Sequence, residues 1–189
     1  MSAPEIVDAR VLRADGAAAA SQQATWRFML GHPARWIALG FGSGLAPMAP
    51  GTVGTLWAWA AFVVLNRWFG GGWPWGALLL AALPIGIWAC ARTARELALA
   101  DPGVIVWDEV VGFWVVLWLV MPTGFIGQCV AFVLFRYFDA AKPGPVRWAD
   151  QRFKHASGWR QGWGILFDDL VAALCTLLVI ALARFVWPA

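Results

Sequence analysis

Four long stretches without a single charged residue dominate this sequence: residues 36–66, 68–91, 110–135 and 170–183. A helix that crosses a membrane needs about 20 consecutive apolar residues, and soluble domains rarely hold several such windows. Composition points the same way. Hydrophobic residues make up 61% of the chain and charged residues 13%, against roughly half and a quarter in soluble domains. A disordered chain is excluded, and a freely soluble globule is disfavoured. The fifteen tryptophans suit a membrane interface, where the ring is buried and the indole N–H stays wet.

The net charge of +3 is scattered along the chain, without the basic stripe of a nucleic-acid binder; no nucleic-acid partner is expected. Cys90, Cys129 and Cys175 lie far apart inside apolar stretches, which argues against a disulfide framework and against zinc spacing. All three read as small core residues.

Residues 1–24 hold scattered charges and no apolar core followed by a cleavage site. They predict a disordered cytoplasmic tail, ahead of a membrane-embedded domain over residues 25–189. Residues 40–54 are rich in Gly and Pro and cannot be regular helix throughout, so they predict a re-entrant segment. A first span follows over about residues 53–66. Gly70, Gly71 and Gly72 make a loop, Trp73-Pro74 opens a second helix that runs to about Leu99, and a last helix runs from Ile165 to about Val186. Residues 110–135 are the informative case. As one span they would place the following basic residues (Arg136, Lys142, Arg147, Arg152, Lys154 and Arg160) opposite Arg92 and Arg95. Positive charge collects on the cytoplasmic side. Both segments share that side if the chain turns back at Met121-Pro122-Thr123-Gly124, which predicts a helical hairpin of two short arms. The expected fold is therefore an all-α, polytopic membrane helical bundle. In this topology Glu96, Asp101, Asp108, Glu109, Asp139, Asp150, Asp168 and Asp169 all fall on the cytoplasmic side.

Two adjacent carboxylate pairs, Asp108-Glu109 and Asp168-Asp169, sit where apolar helices are expected to begin. Neighbouring acids repel, and burial adds to the cost of ionising them. A cation offsets that cost, and Mg²⁺, which takes oxygen ligands, is the natural candidate. Solvated helix caps are the plainer alternative. Arg136 and Asp139 are spaced i, i+3 and share a helix face, with Lys142 at the helix tip before Pro143. An Arg fork and a Lys ammonium are common phosphate ligands, although an ordinary intrahelical ion pair fits the same spacing. In the Gly-rich segment Ser43, Thr52 and Thr55 offer hydroxyls beside glycines that let a backbone approach a ligand. No P-loop or nucleophile elbow is present. His32 and His155 are isolated, Cys90 and Cys129 lack the Arg of a cysteine phosphatase, and no base completes a Ser/His/Asp triad.

Four ordered strings carry a resemblance: residues 40–55 (GFGSGLAPMAPGTVGT), 101–112 (DPGVIVWDEVVG), 135–145 (FRYFDAAKPGP) and 162–169 (GWGILFDD). Together they resemble the phosphatidylglycerophosphatase A family, from about Gly31 to the C-terminus. The resemblance implies an all-helical, Mg²⁺-dependent phosphatase of the bacterial inner membrane, a phosphoric monoester hydrolase that converts phosphatidylglycerophosphate to phosphatidylglycerol. It implies that Asp108, Glu109, Asp139, Asp168 and Asp169 belong to the active site with Arg136 and Lys142; Asp101, Ser43 and Thr52 are weaker candidates. One departure is visible. The family usually reads Gly-Gly-x-Gly-Ile-Met in the fourth string, and this chain has Gln161-Gly162-Trp163-Gly164-Ile165-Leu166.

These readings combine into one expectation. Asp108, Glu109, Asp168 and Asp169 hold Mg²⁺ at the cytoplasmic face. Arg136 and Lys142 clamp the phosphate, and the nucleophile is a water at the ion or, as the lesser choice, Asp139. Alternatives are a phosphatase of another lipid or prenyl phosphate, or a small ion carrier, which would want charges near the bilayer midplane.

Overall fold

The computed structural model describes residues 24–70, 72–99 and 102–187. The tail expected over residues 1–24 lies outside them apart from Ala24, and so does Asp101. The described chain is helical throughout, with eight α-helices and one 3-10 segment and no strand among those residues. Helix α1 (Trp26–Leu30) starts at Thr25, whose hydroxyl accepts from the Phe28 amide at 3.2 Å. Helix α2 (Pro33–Ala38) starts at His32, whose Nδ1 accepts from the Ala34 amide at 3.0 Å. The isolated histidine is thus a helix cap.

The Gly-rich stretch folds as a 3-10 segment, Gly40–Leu45, with left-handed backbone at Phe41 and Gly42. Four helices then form the body: α3 (Pro50–Phe69), α4 (Trp73–Leu97), α5 (Trp107–Val120) and α6 (Phe125–Ala141). Proline near the first turn of α3 and α4 suits a helix start, where its missing N–H is not needed. Gly70 ends α3 in the left-handed conformation. The hairpin expected at residues 121–124 is present between α5 and α6. Its arms of 14 and 17 residues are about 21 and 26 Å long at 1.5 Å per residue. An amphipathic helix α7 (Pro145–Phe153) leads to α8 (Trp159–Val186). By length and composition, α4 and α8 can each cross a membrane.

Helix α5 is the axis of the bundle, packed by α3, α4, α6 and α8. Its buried residues include Val110, Val111, Phe113, Trp114, Val116 and Leu117, so it buries nearly its whole circumference, as a helix with no polar face must. Two tryptophans stitch it to its neighbours. The Trp114 indole donates to the Ala58 carbonyl of α3 at 2.8 Å, and Trp107 donates to the Ala82 carbonyl of α4 at 3.3 Å. Of the cysteines, Cys90 is buried while Cys129 and Cys175 are half-buried, and none is in a disulfide.

The structure differs from the sequence reading at α8, which begins at Trp159 rather than Ile165. Gly162 and Gly164 lie inside the helix because neighbours press on it there. A Cβ at Gly162 would fall on the Ile87 carbonyl of α4, and one at Gly164 would fall on the Phe153 side chain of α7. Replacing Gly162 with alanine is expected to cost about 1–3 kcal/mol through overpacking, read as a lowered melting temperature in detergent.

Chain direction gathers the acids at one end of the bundle: the C-terminal ends of α4 and α6, the start of α5, α7, and the first turns of α8. At the other end Trp118 donates to the Gly72 carbonyl at 3.1 Å, and Arg184 donates to the Val120 carbonyl at 3.1 Å. Arg184 thus caps the C-terminus of α5, where a cation also meets the negative end of the helix dipole.

Candidate active site

Asp108 and Glu109 occupy the first turn of α5, and Asp169 faces them from α8. One ligand-capable oxygen from each lies within 4.8 Å of the others. Asp169 is 2% exposed. Asp108 Oδ1, Glu109 Oε2 and Asp169 Oδ2 are all buried without a hydrogen-bond partner. Buried carboxylate oxygens left unpaired are costly, and three that face one another also repel. Oxygens bound at 2.0–2.6 Å on opposite sides of a hard divalent cation are about 4–5 Å apart. An all-oxygen donor set of that span fits such a cation.

Asp168, the fourth ligand expected from sequence, has a different position. It is adjacent to Asp169, and neighbouring helical residues point about 100° apart. Its Oδ2 accepts from Lys142 Nζ at 2.6 Å, and the same ammonium donates to Asp150 Oδ1 of α7 at 2.6 Å. Lys142 caps α6 with φ 44°, a left-handed conformation uncommon outside glycine and one that persists where surroundings over-determine it. The two ion pairs supply that constraint. Burial opposes the charge on Lys142, and the flanking Asp168 and Asp150 carboxylates outweigh it, holding the ammonium above the ordinary lysine value.

Arg136 and Asp139, one turn apart on α6, form a salt bridge. Arg136 Nη1 also lies 3.7 Å from Glu109 Oε1 and donates to Thr55 Oγ1 of α3 at 3.4 Å. Thr55 in turn donates to the Gly51 carbonyl at 2.8 Å. Gly51 admits this approach: a Cβ there would fall on Glu109 Oε1 and lie 3.2 Å from Arg136 Nη2. Asp139 is 8% exposed. The site therefore has two arms around the carboxylate trio, one built on Arg136 and one on Lys142.

A cavity of about 170 Å³ opens beside the Lys142 arm. Its lining includes Asp108, Asp150, Asp168, Lys154, Gln161 and Ile165. Asp108 is thus shared between the trio and the opening to solvent.

Of the hydroxyls expected to bind substrate, Ser43 donates to the Gly40 carbonyl at 2.8 Å within its own 3-10 turn. Thr52 sits half-buried in the first turn of α3. Thr55 is the hydroxyl that reaches Arg136. Sequence reasoning gave no role to Asp150, which lies eight residues from Lys142 across a Pro-Gly-Pro turn, where no helical periodicity relates the two. Gln161 falls in the stretch that departs from the family pattern.

Comparison with known proteins bears on this arrangement. The sequence profile described as Phosphatidylglycerophosphatase A matches residues 36–184. A phosphatidylglycerophosphatase A of Escherichia coli K12 is 33% identical over 86% of this chain and 90% of its own length. One of Haemophilus influenzae is 36% identical over 79% of this chain and 87% of its own length. A Bacteroides thetaiotaomicron protein provisionally named a phosphatidylinositol-3-phosphatase is 36% identical over 79% of this chain and 92% of its own length. No solved structure matches the chain.

Proposed function

The chain belongs to the phosphatidylglycerophosphatase A family and is a phosphatase of phosphate monoesters; from that premise we propose that it removes the terminal phosphate of phosphatidylglycerophosphate at the cytoplasmic face of a bacterial inner membrane, with Mg²⁺ as its metal. The observation that carries the reading is the carboxylate trio, whose three buried oxygens lack partners. Asp108, Glu109 and Asp169 would hold the ion, which supplies charge neutralisation and Lewis acidity toward a phosphoryl oxygen. Residues 25–189 form the membrane-embedded unit, with the basic segment after α6 toward the cytoplasm.

The remaining roles follow from the two arms. Arg136 lies 3.7 Å from Glu109, and Lys142 pairs with Asp168, the chain neighbour of Asp169, so each cation is neutralised by carboxylates beside the trio. An arriving phosphate dianion accepts from the N–H donors that these partners leave over, since a guanidinium carries five and an ammonium three. Asp139, and Thr55 behind it, keep the guanidinium turned toward Glu109. Asp150 and Asp168 do the same for the ammonium, so both donors are set before substrate arrives. Solvent enters through the cavity beside Asp108. Water forms the new P–O bond, the bond to the glycerol oxygen breaks, and that oxygen takes a proton as it leaves. Because Asp139 is engaged by Arg136, the reading favours water as nucleophile and a positioning role for Asp139.

Phosphate release from a panel of lipid phosphates, including phosphatidylglycerophosphate and phosphatidylinositol 3-phosphate, tests this reading. Phosphatidylglycerophosphate is expected to be hydrolysed best, with turnover lost in EDTA and restored by Mg²⁺. Preference for another lipid would replace the substrate, and full activity in EDTA would remove the metal from the account.

A further inference from the structure

Helices α3 and α4 grip α5 separately and leave a slot between them. At one end they are pinned: Phe62 stacks on Trp75 with ring centroids 4.3 Å apart, and the Trp75 indole donates to Asn66 Oδ1 at 3.0 Å. Toward the acidic end they bound a groove of about 660 Å³, with a lining that includes Ala60 and Ala61 from α3, Ala81 and Ala82 from α4, and Trp107 and Trp114 from α5. Trp107 and Trp114 are seven residues apart in the chain, about 10 Å along the helix. Ile37 and Phe41 also line the groove, and Phe41 stacks on Trp57 at 5.4 Å. Every lining side chain is apolar or an indole, and the volume falls within the 300–1,000 Å³ typical of ligand clefts.

We infer that this groove seats one acyl chain of the lipid phosphate while its headgroup is at the carboxylate trio. The inference rests on the lipid-phosphatase reading above and adds where the apolar half of the substrate lies. Three observations converge on that occupant. Interiors are close-packed, and an unfilled slot forfeits dispersion contacts on its walls. The slot borders α4, one of the two helices long and apolar enough to cross a membrane, so hydrocarbon chains are what it meets. Its lining includes Trp107, whose next residue in α5 is Asp108 of the trio; one residue is about 1.5 Å along a helix axis, so the groove reaches the same level of the bundle as the phosphate site. The four alanines create the space, since larger side chains at those wall positions would close it.

The test uses the full-length protein in detergent with Ala61→Trp and Ala81→Trp. Ala81 is exposed and Ala61 half-buried, and both line the groove, so each variant places an indole into it. Hydrolysis of dioleoyl and dihexanoyl phosphatidylglycerophosphate is compared, and crosslinking is mapped with a phosphatidylglycerol bearing a photoactivatable acyl chain. Catalytic efficiency on the long-chain substrate is expected to fall about ten-fold. The short-chain substrate should change less than two-fold, and crosslinks to α3 and α4 should disappear. Leu174→Trp on α8, outside the groove, should change neither. Unchanged long-chain kinetics, an equal loss on both substrates, or wild-type crosslinks confined to other helices would overturn the inference. Groove crosslinks in a wild-type protein that releases no phosphate would instead overturn the activity and leave the groove standing.

Discussion

Replacing Asp169 with asparagine should cut phosphate release about a thousand-fold, a loss of about 4 kcal/mol of transition-state stabilisation, while leaving the protein at least as stable as the wild type in EDTA. The two effects share one cause. Asp169 is 2% exposed, one of its oxygens is unpartnered, and it brings a carboxylate oxygen within 4.8 Å of Asp108 and Glu109. Without a cation these carboxylates oppose folding, so a neutral isostere relieves repulsion while it removes a ligand. Such opposition of stability and function is common at active sites. Asp108→Asn should behave alike. Phosphate release and thermal melting in EDTA, measured on the same preparations, check both halves. Wild-type activity, or a variant much less stable than its parent, would contradict the assignment.

Arg136→Ala is the second large effect, and here stability and activity fall together. The guanidinium stands between Asp139 and Glu109, whose side chains are 12% and 13% exposed. Removing it leaves two buried carboxylates uncompensated, which costs about 3–5 kcal/mol. Arg136→Lys separates the roles. It keeps the charge and so most of the stability, but it lacks the planar fork that grips a phosphate through two N–H donors. Its expected signature is a melting temperature near wild type with kcat/KM lowered about a hundred-fold. Equal activity in the lysine variant would remove Arg136 from phosphate binding.

Much of the fold was legible because membrane chains obey few rules. Charge-free length located α3, α4 and α8, and the conflict over positive charge, joined to Met121-Pro122-Thr123-Gly124, located the hairpin; the short helices α1, α2 and the charged α7 were not foreseen. The early start of α8 was hidden because Gly162-Trp163-Gly164 has the composition of a loop. Those glycines serve close packing against Ile87 and Phe153, a requirement set by distant residues. The residues that the fold gathers at one end of the bundle were legible as a set of candidates but not as an arrangement. Sequence treated Asp168 and Asp169 as equivalent, whereas their different directions from α8 place one on Lys142 and the other in the trio. Thr55 was visible only as one hydroxyl among three, because its partner Arg136 lies 81 residues away.

The central claim is that carboxylates from α5 and α8 share one divalent cation. Electron paramagnetic resonance with Mn²⁺ as the probe tests it directly on detergent-solubilised protein, without reference to turnover. The wild type should bind Mn²⁺ in competition with Mg²⁺, and Asp108→Asn combined with Asp169→Asn should abolish that binding. Equal Mn²⁺ binding by the wild type and the double variant, or none by the wild type, would contradict it.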